Sequence, residues 1–199
     1  MWCGCWRKDK MGRTNGLESS RLILREWKKE DYEPFAKLSA DTKVMEYFPN
    51  ILSKKESDDL ADKLQRHISQ KGWGIWVVEE KLSGNFIGFM GLHNIEDDLP
   101  FMPCVEIAWR LSYEYWGKGY ATEAAKEVLR FAFEELELDE VVSFTAVINK
   151  RSEALMQRIG MKNTGKNFEH PAVVEGDRLR EHVLYAIYND KGNTRCLKH

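Results

Sequence analysis

No apolar run approaches the ~18 residues that a membrane-crossing helix needs, and residues 1–17 (MWCGCWRKDKMGRTNGL) lack the continuous apolar stretch of a signal peptide. Cysteine is scarce. Cys3, Cys5, Cys104 and Cys196 show no Cys-x-x-Cys spacing, which argues against a zinc knuckle and a disulfide framework, so no metal is expected. A charge of one sign is also missing. Thirty Lys and Arg stand against 32 Asp and Glu, a formal charge of −2, which leaves no global positive field for sequence-blind nucleic-acid binding. The seven Trp and nine Phe do not interleave with a basic patch, so base stacking has no platform either. With 14 Gly and 5 Pro, low-complexity and collagen-like scaffolds are excluded.

What is present is globular: 43% hydrophobic and 31% charged residues in a chain of 199. That length suits a single domain with a substantial core. The expected organisation is a basic leader over residues 1–17, outside the fold, a domain over 18–190 and a tail over 191–199, with reduced thiols and a cytoplasmic location.

Arg21–Arg25 (RLILR) reads as a strand, and 29–38 as a helix with acidic residues in its first turn. Ser53-Lys54-Lys55-Glu56 is a capping box, and Leu60, Leu64, His67 and Ile68 continue at helical spacing until Gly72. Residues 75–79 and 86–92 read as an antiparallel hairpin across Ser83-Gly84-Asn85. After a polar loop over 95–103, Val105–Leu111 is a further strand, and Ala124, Ala125, Val128, Ala132 and Leu136 mark a helix from Ala121. A strand over 141–148, a helix over 150–159 ended by Gly160 and a strand over 183–188 complete the order β α α β β β α β α β β. Early antiparallel pairs and one late βαβ passage indicate a single mixed α/β domain. An edge near 183–188 could pair between chains, as a monomer or homodimer.

Between strand and helix lies Trp116-Gly117-Lys118-Gly119-Tyr120-Ala121-Thr122. Such a turn leaves backbone N–H groups unpaired at the positive end of a helix dipole, which makes an anion cradle. Glycine admits the close approach and the positive φ, and Lys118 adds charge. No Gly-x-x-x-x-Gly-Lys-[Ser/Thr] occurs, and Thr122 occupies the third position of Gly-x-Gly-x-x-Gly, so neither a nucleotide hydrolase nor a dinucleotide fold is indicated. Another phosphate-bearing cofactor fits better.

Residues 116–124 resemble motif A of the GNAT N-acetyltransferase superfamily, with Trp116 in place of the usual Gln or Arg. Together with Arg21–Arg25, Val105–Ala108, Asn149–Ser152 and Arg180–Tyr185, the pattern is similar to the RimJ/RimL-like branch, the ribosomal-protein N-terminal acetyltransferases, over about residues 19–188. The resemblance implies an α/β (α+β mixed) fold, a mostly antiparallel mixed sheet with a central βαβ passage that binds acetyl-CoA, flanked by helices. It implies direct acetyl transfer to a primary amine, with a protein or peptide N-terminus as the acceptor and aminoglycosides or polyamines as alternatives. Partners are acetyl-CoA and that amine, with no nucleic acid and no membrane.

By resemblance, Ile107, Trp109, Leu111, Trp116, Gly117, Lys118, Gly119, Tyr120, Ala121, Thr122, Asn149 and Ser152 bind the cofactor, and the backbone N–H of Leu111 polarises the thioester carbonyl. Glu106, alternating with apolar Val105 and Ile107, is the expected base; an ion-paired strand carboxylate would look the same in sequence. Ser152 is the candidate acid towards the departing sulfur, although Asn149 and Ser152 also read as a helix cap. Met156 stands where many superfamily members have a proton-donating Tyr, and reads as core. Tyr47, Phe48 and Trp73 could line an acceptor pocket, although aromatics at such positions more often pack in a core. His93, His170 and His182 are possible secondary bases or acceptor contacts, although such histidines are more often structural, and Asp97 and Asp98 hint at a cationic acceptor. A non-catalytic acyl-CoA-binding module and a nucleotide-binding protein are the rival readings.

Overall fold

The computed structural model describes residues 16–95 and 99–189; Cys3, Cys5, Asp97, Asp98 and Cys196 lie outside the described residues. Nine strands form one sheet: β1 (Leu17–Glu18), β2 (Leu22–Arg25), β3 (Ile75–Glu80), β4 (Asn85–Asn94), β5 (Val105–Leu111), β6 (Glu140–Ala146), β7 (Lys162–Asn163), β8 (Phe168–Glu169) and β9 (Glu181–Tyr188). The order is β1-β2-β3-β4-β5-β6-β9-β7, with β8 also paired to β9. Every pairing is antiparallel except β5 with β6. Among the described residues, four α-helices accompany the sheet: α1 (Tyr32–Ala40), α2 (Lys54–Lys71), α3 (Tyr120–Glu134) and α4 (Lys150–Arg158).

The two faces of the sheet are covered by different helices. Phe35 of α1 meets Phe89 of β4 edge-on at 5.7 Å, and Phe131 of α3 meets Trp76 of β3 at 5.5 Å on the opposite side. Alternation then assigns β5: Phe89 lies opposite Arg110 and Met90 opposite Trp109, so Glu106, Ala108 and Arg110 face the α1 side, and Ile107, Trp109 and Leu111 the α3 side.

Helix α2 obeys its sequence signals. Ser53 and Glu56 exchange both bonds of the capping box, and Gly72 ends the helix at φ 76. The helix expected from residue 29 begins as a single 3-10 turn over Lys29–Asp31 and becomes α-helical at Tyr32. The cause is Asp31, whose carboxylate folds back to accept from the Lys28 amide at 2.7 Å and binds the Arg25 guanidinium through both oxygens. The strand expected to reach residue 148 stops at Ala146, where Asn149 N donates to Ala146 O and turns the chain. Three two-residue strands, β1, β7 and β8, carry no periodicity and were not expected. Leu17, assigned to the leader, is buried and pairs with Leu24, so the ordered sheet takes in that residue. Nor is the last strand an edge: β9 has β6 on one side and β7 and β8 on the other.

Candidate active site

Strands β5 and β6 pair in parallel at Glu106 and Val142 and then part. The wedge they leave widens into a cleft of about 1360 Å³, walled by Ala108–Leu111 of β5, Ser143–Thr145 of β6 and the start of α4. Drug-sized ligands occupy ~300–1,000 Å³, so this cleft has room for two reactants side by side.

One end of the cleft is the glycine turn. Gly117 and Gly119 adopt φ 74 and 83, and a Cβ at Gly117 would meet no atom within 4 Å, so it would project into the open cleft. Gly119 is the N-cap of α3 and offers no side-chain cap, which leaves the first-turn amides to an external acceptor. The turn is anchored from several sides. Trp116 Nε1 donates to Leu111 O at 2.8 Å, Glu123 holds Arg21 and Ser19 at 2.7 Å, and Tyr120 donates its hydroxyl to Glu80 with the Arg21 guanidinium over its ring. These groups fit a pyrophosphate by chemistry and by conformation.

At the apex, Glu106 is 8% exposed and lines the cleft. His93 of β4, directly across the ladder, places Nε2 at 2.9 Å from Glu106 Oε2. A second pair of histidines comes from the far wall. The β8–β9 register sets Phe168 opposite His182, and the rings of His170 and His182 lie 5.0 Å apart with Phe144 beside both. His182 Nδ1 donates to Arg180 O at 3.0 Å, and burial pushes its pKa down, so the neutral ring carries its lone pair on Nε2. His170 Nδ1 accepts from the Ala172 amide.

Comparison with known proteins is consistent along the whole domain. The model of the family described as "Acetyltransferase (GNAT) domain" matches residues 21–162. The chain belongs to the GNAT acetyltransferase family. It is 32% identical to the FsC-acetyl coenzyme A-N(2)-transacetylase of Aspergillus fumigatus, covering 88% of this chain and 77% of that one. The Bacillus subtilis N-acetyltransferase YnaD is 26% identical over 89% of this chain and 99% of its own. Among solved structures, a GNAT-family acetyltransferase from Bacillus anthracis superposes with a TM-score of 0.73 at 23% identity, covering 87% of this chain and 98% of that one. GNAT acetyltransferases use acetyl-CoA as co-substrate, and this chain is accordingly an N-acetyltransferase.

In this acetyltransferase the structure brings Glu106, Trp109, Leu111, Trp116, Gly117, Gly119, Tyr120, Ala121, Thr122, Asn149 and Ser152 to one cleft. Two expected residues turn elsewhere. Ile107 is fully buried on the α3 face, and Lys118 lays its ammonium over the Tyr115 ring at 5.1 Å, outside the lining. Tyr120 is held by Glu80 and Arg21, so its contribution to the cleft is a backbone amide. Asn149 accepts from Ser152 N and donates to Thr145 Oγ1 and Ser152 Oγ, so it is a helix cap that also faces the cleft. Met156 is fully buried core. Tyr47 and Phe48 line the cleft, whereas Trp73 packs edge-on against His67 at the end of α2, away from it. Sequence reasoning missed Arg110, which shares the strand phase of Glu106 and lines the same cleft.

Proposed function

We propose that this acetyltransferase moves the acetyl group of acetyl-CoA directly to the α-amine at the N-terminus of a protein or peptide, as its sequence resemblance to the RimJ/RimL-like branch implies. The observation that carries the reading is the placement of Glu106: a sheltered carboxylate at the apex of the wedge, backed by His93, in a cleft large enough for both reactants. Its role is to take the proton of the incoming amine, with His93 as the next acceptor along the path. The Leu111 amide serves the thioester carbonyl, the amides of Gly117 and residues 119–122 hold the pyrophosphate, Trp109, Asn149 and Ser152 line the arm, and Ser152 Oγ is the candidate proton donor to the leaving thiolate. Bound acetyl-CoA supplies the activated acetyl group, and no further cofactor is needed.

The charge of the lining separates the acceptor classes. Its acids are Glu106 and Glu114, against Arg110, Lys150, Arg151 and Arg158. A polyamine or aminoglycoside would need several carboxylates to replace its hydration, so the cleft favours an acceptor with a single amine. The name of the Aspergillus fumigatus relative, a transfer to N(2) of FsC, keeps a small-molecule acceptor as the second reading.

The test is thiol release from acetyl-CoA with N-terminal Ser, Ala, Thr and Met peptides, polyamines and aminoglycosides. Glu106→Gln is expected to lower kcat roughly 10²- to 10⁴-fold with the acetyl-CoA Kd unchanged. Full turnover by that variant at saturating substrates overturns the assignment.

A further inference from the structure

Among the described residues, Arg110 has no counter-ion. Its Nε and Nη1 are sealed from solvent and donate to no acceptor, and no ion pair forms to it among the described residues. Its neighbours are rings: Cζ stands 4.1 Å from the centroid of Phe48, in the segment between α1 and α2, and 5.2 Å from that of Phe89. Burial alone pulls the guanidinium pKa down to about 10, which still leaves it charged at neutral pH. A part-buried cation with no counter-ion is costly to keep, and two shielded, unfilled N–H donors add to that cost. Cation–π contact with Phe48 and Phe89 offsets part of that cost but fills neither N–H donor. The residue does line the cleft, where Nη2 is not among the sealed nitrogens, and there a ligand can approach the guanidinium and supply what the chain withholds.

We propose that Arg110 is the specificity residue for the acceptor, and that it binds a carboxylate which the acceptor carries in addition to its amine. This rests on the reading of Glu106 as the group that meets the amine. Strand alternation puts Glu106, Ala108 and Arg110 in one row on the α1 face of β5, whereas Ile107, Trp109 and Leu111 point towards α3. Four residues of strand separate the two functional positions by about 13 Å of backbone. Between them Ala108 presents only a methyl group, so the row is a shallow track with a carboxylate at one end and a guanidinium at the other. The planar fork of a guanidinium matches a carboxylate through two parallel bonds, from Nε with Nη2 or from Nη1 with Nη2, so each unfilled donor of Arg110 completes a pair with Nη2.

The cofactor's own anions do not account for Arg110. The pantetheine arm is uncharged, and the pyrophosphate cradle at Gly117 and Gly119 opens the α3 helix, which covers the other face of the sheet. The track also sets a length. The carboxylate of a free α-amino acid sits beside its amine and cannot reach both ends. An extended chain advances ~3.4 Å per residue, so an acid at the second or third residue does reach. That acid is either an Asp or Glu side chain near a polypeptide N-terminus or the terminal carboxylate of a di- or tripeptide.

Matched acceptors separate these sources. One arm compares C-terminally amidated hexapeptides that differ only by Asp or Asn at residue two or three. The other compares tripeptides with a free or an amidated C-terminus. The expected result is an acid-over-amide preference of roughly 30-fold or more in kcat/KM in at least one arm, carried mainly by KM. Arg110→Met should reduce that ratio to about one, Arg110→Lys should keep part of it, and CoA affinity by calorimetry should stay within about twofold in both. Absence of any preference in the wild type overturns the proposal, as does a preference that survives in Arg110→Met. Loss of CoA binding in a folded Arg110→Met protein also overturns it, by assigning the guanidinium to the cofactor. A fully active Glu106→Gln would instead sink the reading of the base, and the acid preference would still be measurable in that variant.

Discussion

At the scale of single residues, Arg25 is a part-buried cation with two carboxylate partners, and Arg110 is a part-buried cation with none among the described residues. Arg25 binds Asp31 through two bonds of 2.7 and 2.8 Å and Glu79 at 2.6 Å, and these carboxylates, Asp31 foremost, hold its proton more tightly than water would. Removing the cation as Arg25→Met leaves the almost fully buried Asp31 carboxylate without its partner, and a loss of about 3–5 kcal/mol is expected in urea unfolding. Asp31→Asn should cost less, because the amide oxygen can still accept from the Lys28 N–H. The contrast between Arg25 and Arg110 explains what was legible at this scale. Glu106 could be found from its own strand because it alternates with Val105 and Ile107, and its outlook depends on local geometry. Arg110 obeys the same alternation and was within reach of the same argument. What no sequence pattern shows is the lack of a partner, which depends on every other strand and loop. The His170–His182 contact was hidden for a similar reason, since the β8–β9 register that creates it involves a strand of two residues.

At the scale of elements, strong local signals and long periodicity were enough. The helix from Lys54 to Lys71 has a capping box at one end and a left-handed glycine at the other, and both were visible in sequence. Ser53→Ala removes the oxygen that accepts from Glu56 N, so a loss of about 1 kcal/mol is expected in thermal or urea unfolding. A loss well below that would mean that packing of α2 on β3 fixes the helix end without its cap. Short elements behaved differently. Strands β1, β7 and β8 exist because a longer neighbour offers them a register, so their residues hold no pattern of their own. Trp73 could be read either as packing or as pocket lining for a related reason: an aromatic just beyond a helix stop looks available in sequence, and the structure takes the packing alternative, with His67 and Lys71 against the ring.

At the scale of the whole molecule, the sheet is two halves joined in parallel at Glu106 and Val142 and reinforced by helices. A ligand lodged in the wedge touches both halves, so it stabilises the folded protein as a unit. Acetyl-CoA at about 100 times its Kd should contribute roughly 2.7 kcal/mol, or a rise in Tm of about 5–11 °C for a chain of this size. ATP and NAD at the same concentration should give little, and a larger shift with either would count against the glycine turn as a CoA cradle. The mixed sheet, its antiparallel majority and the late βαβ passage were readable from the order of elements, but the divergence of β5 and β6 was not. It is a matter of strand direction rather than strand identity. An ordinary sheet keeps its open edges at the rim, where charge, brevity or a covering loop discourages neighbours from adhering. Here two further edges lie in the middle, facing one another across the gap, and the backbone of 108–111 on the β6 side has no strand to pair with. The molecule thus carries its stickiest surface inside itself, where the unpaired backbone is offered to a flexible amide-bearing arm rather than to the rim of a neighbouring sheet.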